Sequence, residues 1–180
     1  MYEGKNPIAI QSRNWMIDAL FYLMEEQPYH KISIGAICKK ADLSRQTFYN
    51  CFQEKDDIFR VYLKNHFAEI SAKLIANNQF CMEDFINSYS GFFIENEKSL
   101  KLMIEHHLEH LILQEISVYI SILVSKFSIN EHPNKCKYGQ AFLSGALTQI
   151  LIYWIKDTNP ISSDELSEIL SNLLSEVPLR

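Results

Sequence analysis

From Asn14 to Met24 the apolar residues Trp15, Ile17, Ala19, Leu20, Phe21, Leu23 and Met24 recur at helical spacing and predict an amphipathic helix. The stretch before Arg13 fits equally a disordered arm or the start of that helix. In "EEQPYHK" the pattern stops, because Pro28 has no N–H to continue a helix. "SIGAICKKA" reads as a short helix with Ser33 as its N-cap and Ile34, Ile37 and Cys38 facing inward. "DLS" forms a tight turn, and Ser44 is suited to cap a third helix. Phe48 and Phe52, four apart, are the buried side of that helix, and Arg45, Gln46, Thr47, Tyr49 and Asn50 cover most of the rest.

A long helix is predicted over about 56–77, with Ile58, Phe59, Val61, Tyr62, Leu63, Phe67, Ile70 and Leu74 inward. Further helices fit 82–94, 97–110 and 112–128. After a break at "NEHPNKC", residues 139–156 are apolar almost all round, which predicts deep burial. "SSDELSEILSNLLSEV" is a last amphipathic helix, opened by Ser162 or Ser163 with Glu165 in its first turn. The reading is an all-α fold of about nine helices, with an N-terminal three-helix helix-turn-helix domain over 1–60 and a second helical domain over 61–180.

Composition narrows the function. A hydrophobic fraction of 47% over 180 residues supplies a real core, and five glycines and five prolines argue against a turn-rich β fold. No apolar run reaches the roughly 18 residues of a membrane span, and the start lacks a signal-peptide pattern, so the expected location is cytoplasmic, away from membranes. Cys38, Cys51, Cys81 and Cys136 are scattered without a C-x-x-C pair, as expected of small core residues in a reducing compartment. Net charge is −5, but it is unevenly spread. Up to residue 66, nine basic residues meet eight acidic ones; beyond it, eight basic meet fourteen acidic. A near-neutral head on an acidic body suggests two parts with different partners.

Two short helices joined by a tight turn make a helix-turn-helix when the second shows polar side chains outward. The major groove admits one such helix and offers donors and acceptors on base edges. Arg45 can pair with guanine, Gln46 or Asn50 with adenine, and the Thr47 methyl can meet a thymine methyl. Ser44 and Tyr49 suit phosphates, which fix register without reading sequence.

From Arg13 to Arg60 the chain resembles the DNA-binding domain of the tetracycline-repressor (TetR) family of bacterial regulators, through "YHKISIGAICKKADLSRQTFYNCFQEKDDIF". The matching positions are Tyr29, Ile32, Ser33, Ile37, Ala41, Leu43, Ser44, Thr47, Phe48, Tyr49, Phe52, Lys55 and Ile58. Two positions depart from the pattern. Asp42 stands where the turn usually has Gly, and Asp tolerates left-handed backbone; Cys51 replaces a common His or Tyr. The resemblance implies that Arg45, Gln46, Thr47 and Asn50 face bases while Ser44, Tyr49 and Lys55 hold the DNA backbone. It also places Ser33 at a helix N-terminus close to a phosphate.

The closing stretch "FLSGALTQILIYWIKDTNPISSDELSEIL" is similar to regulators related to dihydroxyacetone-kinase control, through Gly145, Trp154, Pro160, Ser163, Glu165 and Leu166. The family resemblance implies a homodimer formed by the last two helices. Gly145 and Ala146 would permit close approach, and Ile169, Leu170, Leu173 and Leu174 would form the apolar stripe. It further implies a double-stranded operator of palindromic form and a small-molecule effector, with repression as the usual mode. Co-activation, or an adaptor role through a protein partner, stays open.

Phe85, Tyr89, Phe92 and Phe93 share one helical face, with Leu102, Met103, Tyr119 and Phe142 available opposite; they line an effector cavity or form an aromatic core. His106 and His110, four apart on one expected helix, have metal-binding spacing and lie beside that cluster, so a metal-responsive sensor is a further alternative. No H-E-x-x-H motif, phosphate-cradling loop or nucleophile elbow is present. The expectation is a non-enzyme without a cofactor.

Overall fold

In the computed structural model, residues 7–76, 82–127 and 133–175 are described, with the side chains of 127, 133–135 and 175 left aside. Cys81 lies outside them. All regular structure among the described residues is helical: α1 (Pro7–Glu26), a 3-10 turn (Tyr29–Lys31), α2 (Ile34–Lys40), α3 (Arg45–Cys51), α4 (Asp57–Ala76), α5 (Met82–Glu95), α6 (Glu97–Glu105), α7 (Glu109–Phe127), α8 (Pro133–Lys156) and α9 (Ser163–Ser175). None of them is long and apolar enough to cross a membrane. The chain divides into two compact units, residues 1–64 and 65–180, with the boundary inside α4.

The first unit is built on α1, in which residues 7–12 of the stretch before Arg13 are helical; residues 1–6 lie outside the described residues. Pro is suited to a first helical position, where its missing N–H has no partner to lose. Met16, Leu20, Ile37, Phe48, Ile58, Phe59 and Leu63 are wholly shielded and form the core where α1, α2 and α3 pack on one another. Phe21 sets its ring edge against Phe59 (5.6 Å) and Tyr62 (5.0 Å), tying α1 to the start of α4.

In the second unit α7 packs along α8, and α5 along α9. Its centre is aromatic: Phe67 lies against Phe92 (4.8 Å) and Tyr119 (5.1 Å), and Phe93 reaches Trp154 (6.0 Å). The Trp154 indole N–H donates to the Ile161 carbonyl (2.9 Å), fixing the chain between α8 and α9. Ser162 begins α9, its hydroxyl accepting from the Glu165 N–H (3.2 Å).

Two sequence expectations are corrected here. Residues 97–110 are not one helix, because α6 ends at Glu105 and α7 begins at Glu109. His107 adopts φ 61°; its N–H bonds to the Ile104 carbonyl (3.1 Å) and that of Leu108 to Met103 (2.9 Å). That pair of bonds is a Schellman ending, in which a left-handed residue lets the last carbonyls find partners. Leu108 is then buried in the body, as the hydrophobic contact of such endings requires.

The second correction concerns α8, which is not buried all round. Leu143, Leu147, Leu151 and Trp154 form its inner stripe, whereas Tyr138 (70% exposed), Phe142 (55%) and Tyr153 (74%) stand in the open.

Candidate nucleic-acid interface

The turn between α2 and α3 sets the geometry of the reading helix. Asp42 takes φ 54°, the conformation for which Gly is usual and Asp is tolerated. The Leu43 N–H reaches back to the Cys38 carbonyl (2.9 Å) and the Asp42 N–H to Lys39 (3.4 Å), another Schellman ending. Each helix after a turn is capped by serine: Ser33 accepts from the Ala36 N–H (3.1 Å), and Ser44 from the Thr47 N–H (3.0 Å). Phe48, Cys51 and Phe52 are buried and fix the rotation of α3 about its axis. Arg45, Gln46, Tyr49 and Asn50 are thereby turned to solvent with Ser33 and Ser44, and Thr47 is half-exposed.

These polar groups are linked to one another. The Ser44 and Thr47 hydroxyls are 2.9 Å apart, and the Gln46 amide donates to the Asn50 side-chain carbonyl (3.2 Å). Arg45 folds back over α2, so that a Cβ at Gly35 would stand 2.7 Å from its Nη2. Gly35 therefore gives the guanidinium its place beside α2. Tyr49 is 57% exposed, with its ring edge on Phe48 at 5.4 Å, so its hydroxyl is free to reach outward.

Lys55 is placed differently from the others. Its ammonium donates to the carbonyls of Tyr29 (2.7 Å) and Ile32 (2.8 Å) and lies 3.9 Å from the Tyr29 ring centre. Two of its three N–H donors are thus taken within the unit. Burial pulls the ammonium below the usual lysine pKa, against the pull of Asp56. The Tyr29 hydroxyl donates to the Asp56 carboxylate. Burial first, and that bond next, raise its pKa well above the tyrosine norm. Sequence reasoning named Tyr29 only as a matching position and missed Gly35 and Asp56; the signal for Gly35 was a glycine inside a seven-residue helix.

The turn from α3 into α4 is held by Asp57, whose carboxylate accepts from the N–H groups of Gln53 (2.8 Å) and Glu54 (3.1 Å) and from Arg60 (2.9 Å). Burial opposes its ionisation, but the two N–H groups and the guanidinium outweigh it and hold its pKa below the carboxylate norm. A lowered folded pKa stabilises at neutral pH, and that stabilisation is lost as pH falls through the carboxylate range. Asp57→Asn is expected to cost about 1–2 kcal/mol at neutral pH and to flatten the acid limb of stability. An unchanged acid limb in urea titrations across pH would remove Asp57 from that role.

In the second unit Phe85, Tyr89, Phe92, Phe93, Met103 and Tyr119 come together in the buried interior. Phe142 does not join them, because it lies on the outer side of α8. His106 is half-exposed at the end of α6, and His110 is exposed in α7. The break at His107 removes their shared helical face, and no group of metal-ligating side chains is present among the described residues. Of the expected dimer stripe, Leu170 and Leu174 are buried within their own unit, on one face with Leu166. Ile169 (42%) and Leu173 (53%) are exposed, and a Cβ at Gly145 would meet nothing within 4 Å.

Residues 16–62 match the profile described as "Bacterial regulatory proteins, tetR family", and residues 81–176 that of a "Transcriptional regulator C-terminal region". A curated relative, the HTH-type dhaKLM operon transcriptional activator DhaS of Lactococcus lactis subsp. lactis (strain IL1403), is 42% identical over 48 residues. That alignment spans 27% of this chain and 26% of DhaS, so the likeness covers about a quarter of each. Among solved structures, Lin0861 from Listeria innocua superposes with a TM-score of 0.82 at 14% identity, covering 97% of this chain and 95% of the other. The fatty acid degradation regulator FadR from Bacillus halodurans gives 0.68 at 17%, covering 99% of both. The dihydroxyacetone kinase operon activator DhaS gives 0.59 at 22%, covering 91% of this chain and 94% of that one.

Proposed function

Because this chain belongs to the TetR family and is a DNA-binding transcriptional regulator, we propose that it reads a palindromic operator as a homodimer and answers to a small-molecule effector. The observation that carries the first part is the exposed face of α3, where Arg45, Gln46, Thr47 and Asn50 gather the chemistry of base edges on a helix clamped by Phe48 and Phe52. Ser33, Ser44, Tyr49 and the remaining Lys55 donor would hold phosphates, a reading supported by the exposure of Ser33, Ser44 and Tyr49.

The homodimer is supported by apolar side chains in the open on α8 and α9: Tyr138, Phe142, Tyr153, Ile169 and Leu173. A second copy would cover them, with Gly145 and Ala146 allowing the helices to close, and would offer two reading helices to half-sites about 34–36 Å apart. The effector role rests on the buried aromatic cluster of the second unit. Ligand and DNA would then favour different states of the dimer, with a reciprocal coupling of about 1–3 kcal/mol. Repression released by ligand is one sign of that coupling. Activation is the other, and the partial match to DhaS, an activator by name, favours it.

Fluorescence anisotropy with DNA from upstream of its own and neighbouring genes, against a scrambled duplex at near-physiological salt, tests the reading. Specific binding about a thousandfold or more above the control is expected, and equal weak binding everywhere would refute it. Arg45→Ala should cost about 1–3 kcal/mol on the specific duplex alone. Equal losses on both duplexes would make Arg45 a phosphate contact.

A further inference from the structure

Buried hydroxyls in the second unit are nearly all satisfied close to home. Ser71, Ser144 and Thr148 each donate to the carbonyl one turn back at 2.7 Å, and Tyr89 donates to the Leu147 carbonyl of α8 at 2.6 Å. Ser90 Oγ and the Tyr119 hydroxyl are the exceptions, with no hydrogen-bond partner among the described residues. They are not equivalent. A serine in a helix can rotate its hydroxyl onto the carbonyl four residues back, as its neighbours here do. Tyrosine cannot, because its rigid ring carries the hydroxyl beyond its own helix.

The Tyr119 ring is also held. It is stacked on Phe67 (5.1 Å, 14° between planes) and on Phe85 (6.1 Å, 16°), and the residue is only 2% exposed. Phenylalanine would supply the same stacking without an orphan hydroxyl, and an unmet buried donor is costly. Resting on the effector reading above, we propose that the Tyr119 hydroxyl is the polar contact of the effector site. The ligand it selects is a small uncharged molecule, apolar apart from one hydrogen-bond acceptor.

The electrostatics set the absence of charge. No Asp, Glu, Lys, Arg or His among the described residues of this unit is buried, so an ionised ligand in the cluster would lack a counter-ion. His66, half-exposed, borders the cluster at Phe92 (5.9 Å), on a ring that Tyr119 does not stack against. Phe85, stacked on Tyr119, is also stacked on Tyr89 (6.2 Å), whose hydroxyl ties α5 to α8. The contact thus neighbours the helix proposed to dimerise.

The test uses the full chain and three ring probes: cyclohexanone, with an acceptor; methylcyclohexane, without one; and cyclohexanecarboxylate, which is anionic. Tyr119→Phe is expected to unfold at the same or a higher temperature than the wild type. Cyclohexanone should bind the wild type about tenfold more tightly than it binds Tyr119→Phe, while methylcyclohexane should bind the two alike. A clear fall in the unfolding temperature of Tyr119→Phe would show that the hydroxyl already has a partner, and would overturn the proposal. So would cyclohexanone binding unchanged by the substitution, no cyclohexanone binding at millimolar concentration, or a preference for the carboxylate. Operator anisotropy is read separately: its failure in the wild type sinks the regulator reading and leaves the probe measurements standing.

Discussion

Phe48→Ala should be the most damaging single truncation in the DNA-binding unit, costing about 3–5 kcal/mol of its stability. Phe48 is wholly shielded and touches Phe52 (5.4 Å) within the core, while its neighbours on α3 face solvent. Removing the ring leaves a cavity under a seven-residue helix whose other buried residue is the small Cys51. A typical domain has about 5–15 kcal/mol in hand, so operator binding should be lost at moderate temperature along with the fold. The chain supplies its own reporter, since its two tryptophans fall one in each unit, Trp15 and Trp154. Urea unfolding followed by Trp15 fluorescence in a Trp154→Phe background would measure the loss. A change below about 1 kcal/mol would mean that α3 is held by something other than Phe48.

Lys55→Met should cost the same unit about 1.5–3 kcal/mol, although methionine keeps most of the aliphatic stem. The loss is of two charge-assisted bonds, to the Tyr29 and Ile32 carbonyls, and of the ammonium over the Tyr29 ring. Both bonds are part-buried; the Tyr29 carbonyl also accepts from the Ile32 N–H (3.0 Å), so the loss falls most heavily on the Ile32 carbonyl. Affinity for specific and scrambled DNA should fall together and only modestly, since two of the three ammonium donors are taken within the unit. The assignment fails if Lys55→Met keeps full stability yet loses most DNA affinity, for then Lys55 would serve phosphate alone.

The head was legible because its constraints are local. Ser33 and Ser44 cap the helices they precede, and Phe48 and Phe52 four apart fix the face of α3. Asp42 makes the turn in the left-handed conformation that its side chain tolerates. Lys55 was harder to read, because its carbonyl partners lie 26 and 23 residues back and no periodicity links them.

In the body, helix existence followed from apolar spacing, but the break after α6 did not. His107 carries the left-handed turn at a position where sequence offers neither Gly nor Pro as a warning. An apolar helix also does not say which of its faces is covered by its own chain. Phe142 and Tyr153 look as buriable as Leu143 and Trp154, and only packing against α7 separates them.

The paired state of the α3 face bears on how an operator is found among competing sequence. With Gln46 bonded to Asn50 and Ser44 to Thr47, much of the face has its own partners before any base is offered, and Arg45 lies over Gly35. On a wrong sequence those internal pairs can persist, so no side chain is stranded against a base edge that cannot answer it. Sliding then meets a nearly level energy surface, governed by phosphate contacts that are alike at every step. On the proposed reading, the pairs would open only at the operator, in exchange for bonds to bases, and motion along the helix would stop there.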